Sequence, residues 1–387
     1  MREGWTYKKL GEICEIERGG SPRPIQQYIT DEEDGLNWIK IGDAVEGSKY
    51  INSTKEKIIK EGLKKTRFVH KGDFILSNSM SFGKPYILGI DGCIHDGWLV
   101  IRDTYNHFDK SFLYYLLGSP NMYNEFKRLA VGGVVNNLNS QLVRSVSVPI
   151  PPLSEQERIV SELDLLSSII EKKKEQLKEY DQLAQSIFYD MFGDPVTNEN
   201  GWEVKTMEEV GRIVTGNTPS TKDNRNYDSK DVCFIKPSDI EKDGISLLSE
   251  SEFYISTFAY NNARKLPKGS VLVTCIGIVG KVGILEIEAT CNQQINAIIP
   301  NNQVDSNYVA FSILAKRRII ESIAHAPVVP IINKGTFSQL SIPLPPLSLQ
   351  KSFAEKIEAI EKQKSLVQQS IVETQTMFDY TMDKYFG

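Results

Sequence analysis

Two sets of polar side chains recur at matching turns of this 387-residue chain, and their types suit contact with a polyanion. The first set is Lys40, Lys64, Lys65, Arg67, the run Ser77, Asn78, Ser79, Met80, Ser81, and then Lys84. The second is Lys236, Arg264, Lys265, Thr274, Lys281, Asn292, Gln293 and Gln294. Lysine and arginine pair with phosphate oxygens, while asparagine, glutamine, serine and arginine match the donors and acceptors on base edges. Any one of these residues alone reads better as a solvated loop residue. The framework around them repeats while the tips differ, Ser-Asn-Ser-Met-Ser against Cys-Ile-Gly-Ile-Val, which suits two readers of different sequences on one scaffold.

Other chemistries fail on spacing. Gly277-Ile278-Val279-Gly280-Lys281-Val282 lacks the four-residue gap of a phosphate loop and puts Val282 where a hydroxyl should hold magnesium. Gly19-Gly20-Ser21 and Gly216-Asn217-Thr218 precede no helical pattern, so they are not a dinucleotide fingerprint. His70, His95, His107 and His325 do not recur between halves, and no coherent acid–base set can be assembled. Asp96 beside His95 could act as a base, but it reads better as a turn residue before a strand opening at Trp98. The five cysteines, Cys14, Cys93, Cys233, Cys275 and Cys291, form no CxxC pair. Neither a metal site nor a disulfide framework is expected, and reduced thiols suit a cytoplasm. The opening residues carry no signal-peptide pattern and no apolar run reaches membrane length, so a cytoplasmic location without membrane contact is expected. Net charge is −5. An acidic chain is a poor non-specific binder of nucleic acid, so such a role must rest on local clustering and on partners that add positive charge.

The elements that position these residues are themselves duplicated. Pro149-Ile150-Pro151-Pro152-Leu153-Ser154-Glu155-Gln156 opens a segment ending at Met191-Phe192-Gly193. Pro343-Leu344-Pro345-Pro346-Leu347-Ser348-Leu349-Gln350 opens another of equal length ending at Tyr385-Phe386-Gly387. Each reads as one long helix starting after the prolines. Ser154 with Glu157 predicts a capping box; Ser348 predicts a weaker cap, because Lys351 replaces the acid. Ile159, Leu163, Leu166, Ile170, Lys173, Leu177, Tyr180, Ala184, Ile187 and Met191 fall at steps of three and four; all but Lys173 are apolar, which predicts a narrow apolar seam. Phe353, Ile357, Ile360, Val367, Ile371, Phe378 and Tyr385 predict a second seam, interrupted by Lys364, Thr374 and Thr381. A helix over 154–192 would be about 58 Å long.

The repeat continues outside the helices. Gly4-Trp5 through Ile13 matches Gly201-Trp202 through Val210, Gly19–Pro22 matches Gly216–Pro219, and Lys71–Leu76 matches Lys268–Val273. Short apolar runs bounded by Gly, Pro, Asn and Asp, such as Trp98–Ile101 and Val271–Cys275, predict strands of a strongly bent antiparallel sheet. Helical stretches are expected near Lys110–Leu117, Met122–Leu129 and Asn307–Ala324. The expected fold is α+β, with two mixed α/β domains at 1–150 and 194–345. Two long antiparallel helices at 151–193 and 346–387 join them, forming a coiled coil, and an internal pseudo-two-fold repeat relates the halves.

The motif Pro-Ile-Pro-Pro-Leu-Ser-Glu-Gln-Glu-Arg-Ile-Val at 149–160, Met191–Asn198 with Gly201-Trp202, and the repeated Gly-Trp…Leu-Gly-Glu-Ile opening resemble the specificity subunit of type I restriction–modification systems. The resemblance covers essentially the whole chain. It implies that each globular part is a target recognition domain and each helix a spacer. It also implies that double-stranded DNA is bound at a bipartite asymmetric target, that two adenine methyltransferase subunits dock on the helices, and that restriction subunits join through them. The chain itself would be non-catalytic and without a cofactor. The second copy departs at Leu349-Gln350-Lys351, where the first has Glu-Gln-Glu. Two other readings stay open on the residues: the specificity subunit of a type IIB-like fused system, and a coiled-coil protein adaptor without DNA binding.

Overall fold

The computed structural model describes residues 4–45, 47–78, 83–130, 138–324 and 329–387. They form two compact units, Met1–Lys172 with Ser370–Gly387, and Lys173–Gln369.

In the first unit, Thr6–Lys9 pairs antiparallel with Ser147–Ile150, so the chain entering the globular part lies beside the chain leaving it. A five-stranded sheet runs in the order Glu15–Arg18, Trp98–Arg102, Phe74–Ser77, Pro85–Leu88, Tyr50–Ile51. A second sheet holds Ile29–Thr30, Glu56–Ile58, Leu36–Ile39, Gly92–Ile94 and Arg67–Val69. The second unit repeats this plan. Glu203–Thr206 pairs with Ser341–Leu344, and a five-stranded sheet runs Gly211–Thr215, Ile295–Pro300, Val271–Thr274, Val282–Leu285, Ile245–Leu248. Its smaller sheet has three strands, Tyr254–Ile255, Val232–Ile235 and Thr290–Cys291. Among the described residues each half therefore carries two main sheets beside its two-stranded pair, not one bent antiparallel sheet. Parallel pairs occur in both, Trp38–Ile39 beside Cys93–Ile94 and Phe234–Ile235 beside Thr290–Cys291. Connections between strands that are distant in sequence make these parallel pairs, so local alternation could not reveal them. In each half one turn carries the chain from one of these sheets into the other: His95-Asp96-Gly97, between Gly92–Ile94 and Trp98–Arg102, and Asn292-Gln293-Gln294, between Thr290–Cys291 and Ile295–Pro300.

Helices follow the sheets, at Lys110–Gly118 and Pro120–Ala130 in the first unit and at Ser306–Ala315 and Arg317–Ile323 in the second. Asp109 and Asp305 cap the first helix of each pair, their side chains accepting from amides of the first turn.

The two long helices span Leu153–Phe192 and Leu347–Phe386. Each starts one residue before the predicted serine cap. The amides of Glu155 and Gln156 bond to the Pro152 carbonyl, and those of Leu349 and Gln350 to that of Pro346. Proline thus occupies the cap position, where its missing N–H costs nothing because the helix has no partner for it there.

What the motif glutamine does is the same in both copies. Gln156 is fully buried; its Oε1 accepts from the Asp109 amide (2.8 Å), and its Nε2 donates to the carbonyls of His107 (2.8 Å) and Pro151 (2.9 Å). Gln350 accepts from the Asp305 amide (2.9 Å) and donates to Gln303 (3.3 Å) and Pro345 (2.8 Å). Each glutamine ties the first turn of a long helix to the first turn of a domain helix.

Within each unit the long helices lie antiparallel. In the first, Ile159 and Leu163 pack with Met382, Tyr385 and Phe386 from the far end of the second helix. In the second, Phe353 and Ile357 pack with Phe188 and Phe192. At the repeat offset, Ile159 matches Phe353, Leu163 matches Ile357, Met382 matches Phe188 and Phe386 matches Phe192, so one interface is made twice from exchanged copies. Domain helices close each cluster: Phe112 meets Phe386 at 5.4 Å between ring centroids, and Tyr308 meets Phe192 at 4.8 Å.

Of the seam residues, Ile159, Leu163, Ile170, Phe353, Ile357, Ile360 and Ile371 are buried, while Leu166, Leu177, Ile187, Val367 and Phe378 are half-buried. Towards the end of the first helix the buried face moves one residue on, to Phe188 and Phe192. A straight α-helix drifts from a seven-residue repeat in this way. Lys364 and Thr374 do not break the second seam. Thr374 is buried, and the Lys364 ammonium lies 2.8 Å from Asp181 and 2.9 Å from Glu361. Burial alone would lower its pKa; the two carboxylates hold it above the ordinary lysine value.

All five cysteines are free and buried. Burial pushes the Cys14 thiol up to about 12 and those of Cys93 and Cys275 up to about 11. Among the described residues no helix is long and apolar enough to cross a membrane.

Replacing Gln156 by leucine strands the Asp109 amide and two carbonyls in a dry site. Urea unfolding of Gln156→Leu is expected to show a loss of about 2–3 kcal/mol, with Gln350→Leu losing a similar amount in the other unit.

Candidate nucleic-acid interface

The candidate polar residues divide by what they already hold. In the first unit, Ser77 and Asn78 are buried. The Ser77 hydroxyl accepts from the Lys84 amide (2.9 Å), and Asn78 Nδ2 donates to the Asp96 carbonyl (3.0 Å). Ser79 and Ser81 lie outside the described residues. Lys40 reaches Glu56 at 2.5 Å. Lys64, Lys65, Arg67 and Lys84 are exposed. Lys65 donates to the Tyr28 hydroxyl (2.8 Å), and Arg67 lies 3.4 Å from Glu17.

In the second unit, Thr274 is buried and donates to the Ile278 carbonyl (2.6 Å). The Lys281 ammonium donates to the carbonyls of Pro237 and Ile240, and burial holds its pKa below the usual lysine range. The glycine-containing turn between Thr274 and Val282 is thus filled by its own chain. Lys236 sits over the Phe253 ring at 3.1 Å. Asn292 is buried and brackets Gln294, accepting from its amide (3.0 Å) and donating to its side-chain oxygen (2.9 Å). Arg264, Lys265 and Gln293 are exposed. Arg264 Nη1 donates to the Thr215 carbonyl (2.6 Å), and Lys265 lies over Tyr260.

The exposed members other than Lys84 converge on the corner between the two main sheets of each half. There three turns meet: Gly19–Arg23, Lys64–Arg67 and His95–Gly97 in the first unit, and Gly216–Thr218, Arg264–Lys265 and Asn292–Gln294 in the second. The Gly19 amide bonds to the Trp98 carbonyl and Gly20 to Ile94; Gly216 bonds to Ile295 and Asn217 to Cys291. A Cβ on Gly19 would fall 2.2 Å from the His95 carbonyl oxygen, and one on Gly216 would fall 2.1 Å from that of Asn292. Only glycine admits this approach. The Lys64–Arg67 turn is fastened by Thr66 Oγ1 donating to the Ile94 carbonyl (2.8 Å), and the Arg264–Lys265 turn by Thr290 Oγ1 donating to the Arg264 carbonyl (3.1 Å).

This corner brings forward residues that the sequence reading passed over. Ser21 Oγ donates to Asp96 Oδ1 (2.8 Å), and the equivalent Thr218 Oγ1 donates to Gln293 Oε1. Arg18 Nε donates to the Asp96 carbonyl (2.9 Å), and Arg23 lies 3.8 Å from its carboxylate. Asp96 does close the turn before the Trp98 strand, as its spacing suggested. His95 is held neutral-leaning, burial lowering its pKa, with Nδ1 against the Gly97 amide at 2.6 Å.

A family model described as the type I restriction modification DNA specificity domain matches residues 2–179 and again 199–376. The chain belongs to this family. Its two family domains coincide with the two halves of the repeat. The specificity subunit of the HindI type I restriction enzyme of Haemophilus influenzae is 28% identical over 163 residues, 41% of this chain and 35% of that one, so the match spans about a third of its length. The putative MjaX specificity subunit of Methanocaldococcus jannaschii is 23% identical over 400 aligned residues, 93% of this chain and 87% of that one. Among solved structures, one described as showing complex assembly and conformational transition of a type I restriction–modification system aligns over 100% of this chain and 98% of its own, with TM-score 0.61 and 20% identity. The S subunit from M. genitalium aligns over 99% and 96%, with TM-score 0.56 and 12% identity. The fold is shared with both. Specificity subunits are the non-catalytic members of their enzymes, and the activity lies in partner subunits.

Lys64 is exposed and makes no hydrogen bond or ion pair among the described residues, so its replacement leaves the corner intact. In DNA titrations at several salt concentrations, Lys64→Ala is expected to weaken binding alike for all sequences and to reduce the salt slope by about one.

Proposed function

We propose that this chain is the DNA sequence-recognition subunit of a type I restriction–modification complex, reading a bipartite asymmetric target with one half-site per recognition domain. The observation that carries it is the duplicated sheet corner. Each family domain presents the same glycine-fastened scaffold with different side chains at its tip, as two readers of different half-sites require. The domains are assigned as 1–150 and 194–345, with spacers 151–193 and 346–387. The exposed corner residues Lys64, Lys65, Arg67, Arg264, Lys265 and Gln293 are assigned to DNA, the cations to phosphates and the amide to a base edge in the major groove.

Antiparallel long helices running between equivalent domains would present those domains to a duplex in opposite senses. The target would then be two dissimilar half-sites separated by a few unread base pairs, about one helical turn centre to centre. Two methyltransferase subunits docked on the helices would flip out the adenine to be methylated and add the basic surface that an acidic chain lacks. Restriction subunits would join through them, in a cytoplasmic complex. A type IIB-like fused system uses the same reader, and the genes beside this one distinguish the two.

Matched seven-residue insertions after Lys172 and after Gln369 keep the apolar seams in phase while lengthening both helices by about 10 Å. Selection of binding sites from random DNA, with methyltransferase subunits present, is expected to return a longer spacer, by up to about three base pairs, with both half-sites unaltered. An unchanged spacer with altered half-sites would refute the reading. Absence of DNA binding with and without the methyltransferase would favour a protein adaptor.

A further inference from the structure

Asp96 and Gln293 occupy one position in the two halves. Each is the middle residue of the turn that passes from one sheet of its half to the other, and each has a hydroxyl partner at the equivalent place, Ser21 for Asp96 and Thr218 for Gln293. The backbone bonds around them match pair for pair, and the close glycine approach is the same. On this shared frame the hydrogen-bonding chemistry differs. Asp96 is an acceptor. One oxygen takes the Ser21 proton; the other faces the Arg23 guanidinium at 3.8 Å, beyond hydrogen-bond length, and the Arg23 side chain is 83% exposed. Gln293 carries both a donor and an acceptor. Its oxygen takes the Thr218 proton, and among the described residues its Nε2 makes no hydrogen bond.

A carboxylate is a costly group to turn towards a polyanion. Here Arg18 and Arg23 stand beside it, which offsets its charge at the surface while leaving one oxygen unclaimed. Burial alone would raise the Asp96 pKa, but the Ser21 hydrogen bond and the nearby His95 and Arg18 hold it below the usual carboxylate range, so it stays an acceptor at neutral pH. Acceptor-only chemistry matches the cytosine N4 amino group in the major groove; a side-chain amide matches adenine, accepting from N6 and donating to N7.

We infer that Asp96 and Gln293 are the specificity-determining pair of the two recognition domains, Asp96 selecting cytosine in one half-site and Gln293 selecting adenine at the corresponding place in the other. The inference rests on the DNA-reading function proposed above, and the hydroxyls of Ser21 and Thr218 orient the two side chains.

The test is site selection from random DNA by the full chain assembled with methyltransferase subunits, for the native chain, Asp96→Asn and Gln293→Glu. The expected native consensus has an invariant cytosine in one half-site and an invariant adenine in the other. Asp96→Asn should lose discrimination at that cytosine by about tenfold or more and shift towards adenine, with the second half-site unchanged. Gln293→Glu, at an exposed position where a carboxylate oxygen can still accept from Thr218, should shift the adenine towards cytosine and leave the first half-site alone. Both variants keeping the native consensus would overturn the assignment while leaving bipartite recognition standing. So would a uniform loss of affinity over all sequences, which marks a purely electrostatic effect. A native complex that selects no sequence at all would instead sink the DNA-reading function itself.

Discussion

Everything in each half depends on how rigidly a long helix is fixed to the domain it leaves. A single buried glutamine does this, Gln156 in one copy and Gln350 in the other. Its amide is the one side chain of that size with both a donor and an acceptor at its end, and here both are used against backbone. The domain helix must begin where its capping aspartate sits, and the long helix must begin after two prolines; the glutamine bonds the two starting points together. Three backbone groups that would otherwise be orphaned in a dry site are satisfied at once, so the junction cannot swing without breaking all three.

The apolar packing beyond that junction carries the same logic further. Ile159 and Leu163 meet Met382 and Phe386 in one unit, and their repeat equivalents Phe353 and Ile357 meet Phe188 and Phe192 in the other. Two of the four positions change type across the repeat: Ile159 and Met382 in one cluster stand where Phe353 and Phe188 stand in the other, while Leu163 and Ile357 are both aliphatic and Phe386 and Phe192 are both phenylalanine. Phe353 and Phe188 both fall in the second cluster, and all eight side chains are buried in their own core. A duplicated interface can keep its geometry while such apolar side chains differ, because apolar character and patterning set a core before exact identity does.

Much of this was legible in the sequence because it is written at short range. The repeat offset, the proline starts, the long helices and the domain helices all follow from spacing, and the domain helices appear where the apolar pattern put them, at Lys110–Gly118 and Ser306–Ala315. The serine caps did not appear, because proline took the cap position one residue earlier. The second sheet of each half was invisible, since its parallel pairs join strands dozens of residues apart. The site was the least legible part. Ser77, Asn78, Thr274, Asn292 and Lys281 are polar residues at strand ends, and sequence cannot tell whether such a residue faces solvent or ties down its own turn; here they tie down turns. Ser21 and Asp96 are 75 residues apart. The one signal that could have joined them was alignment of the halves, which sets Ser21 against Thr218 and Asp96 against Gln293.

The sequestered thiols have a practical side. Because every native cysteine is enclosed and reluctant to ionise, the wild-type molecule offers almost no background to sulfhydryl-directed probes. One new cysteine on the outer surface of each domain would take a spin label or fluorophore cleanly, turning the chain into its own ruler for spectroscopic distance measurement.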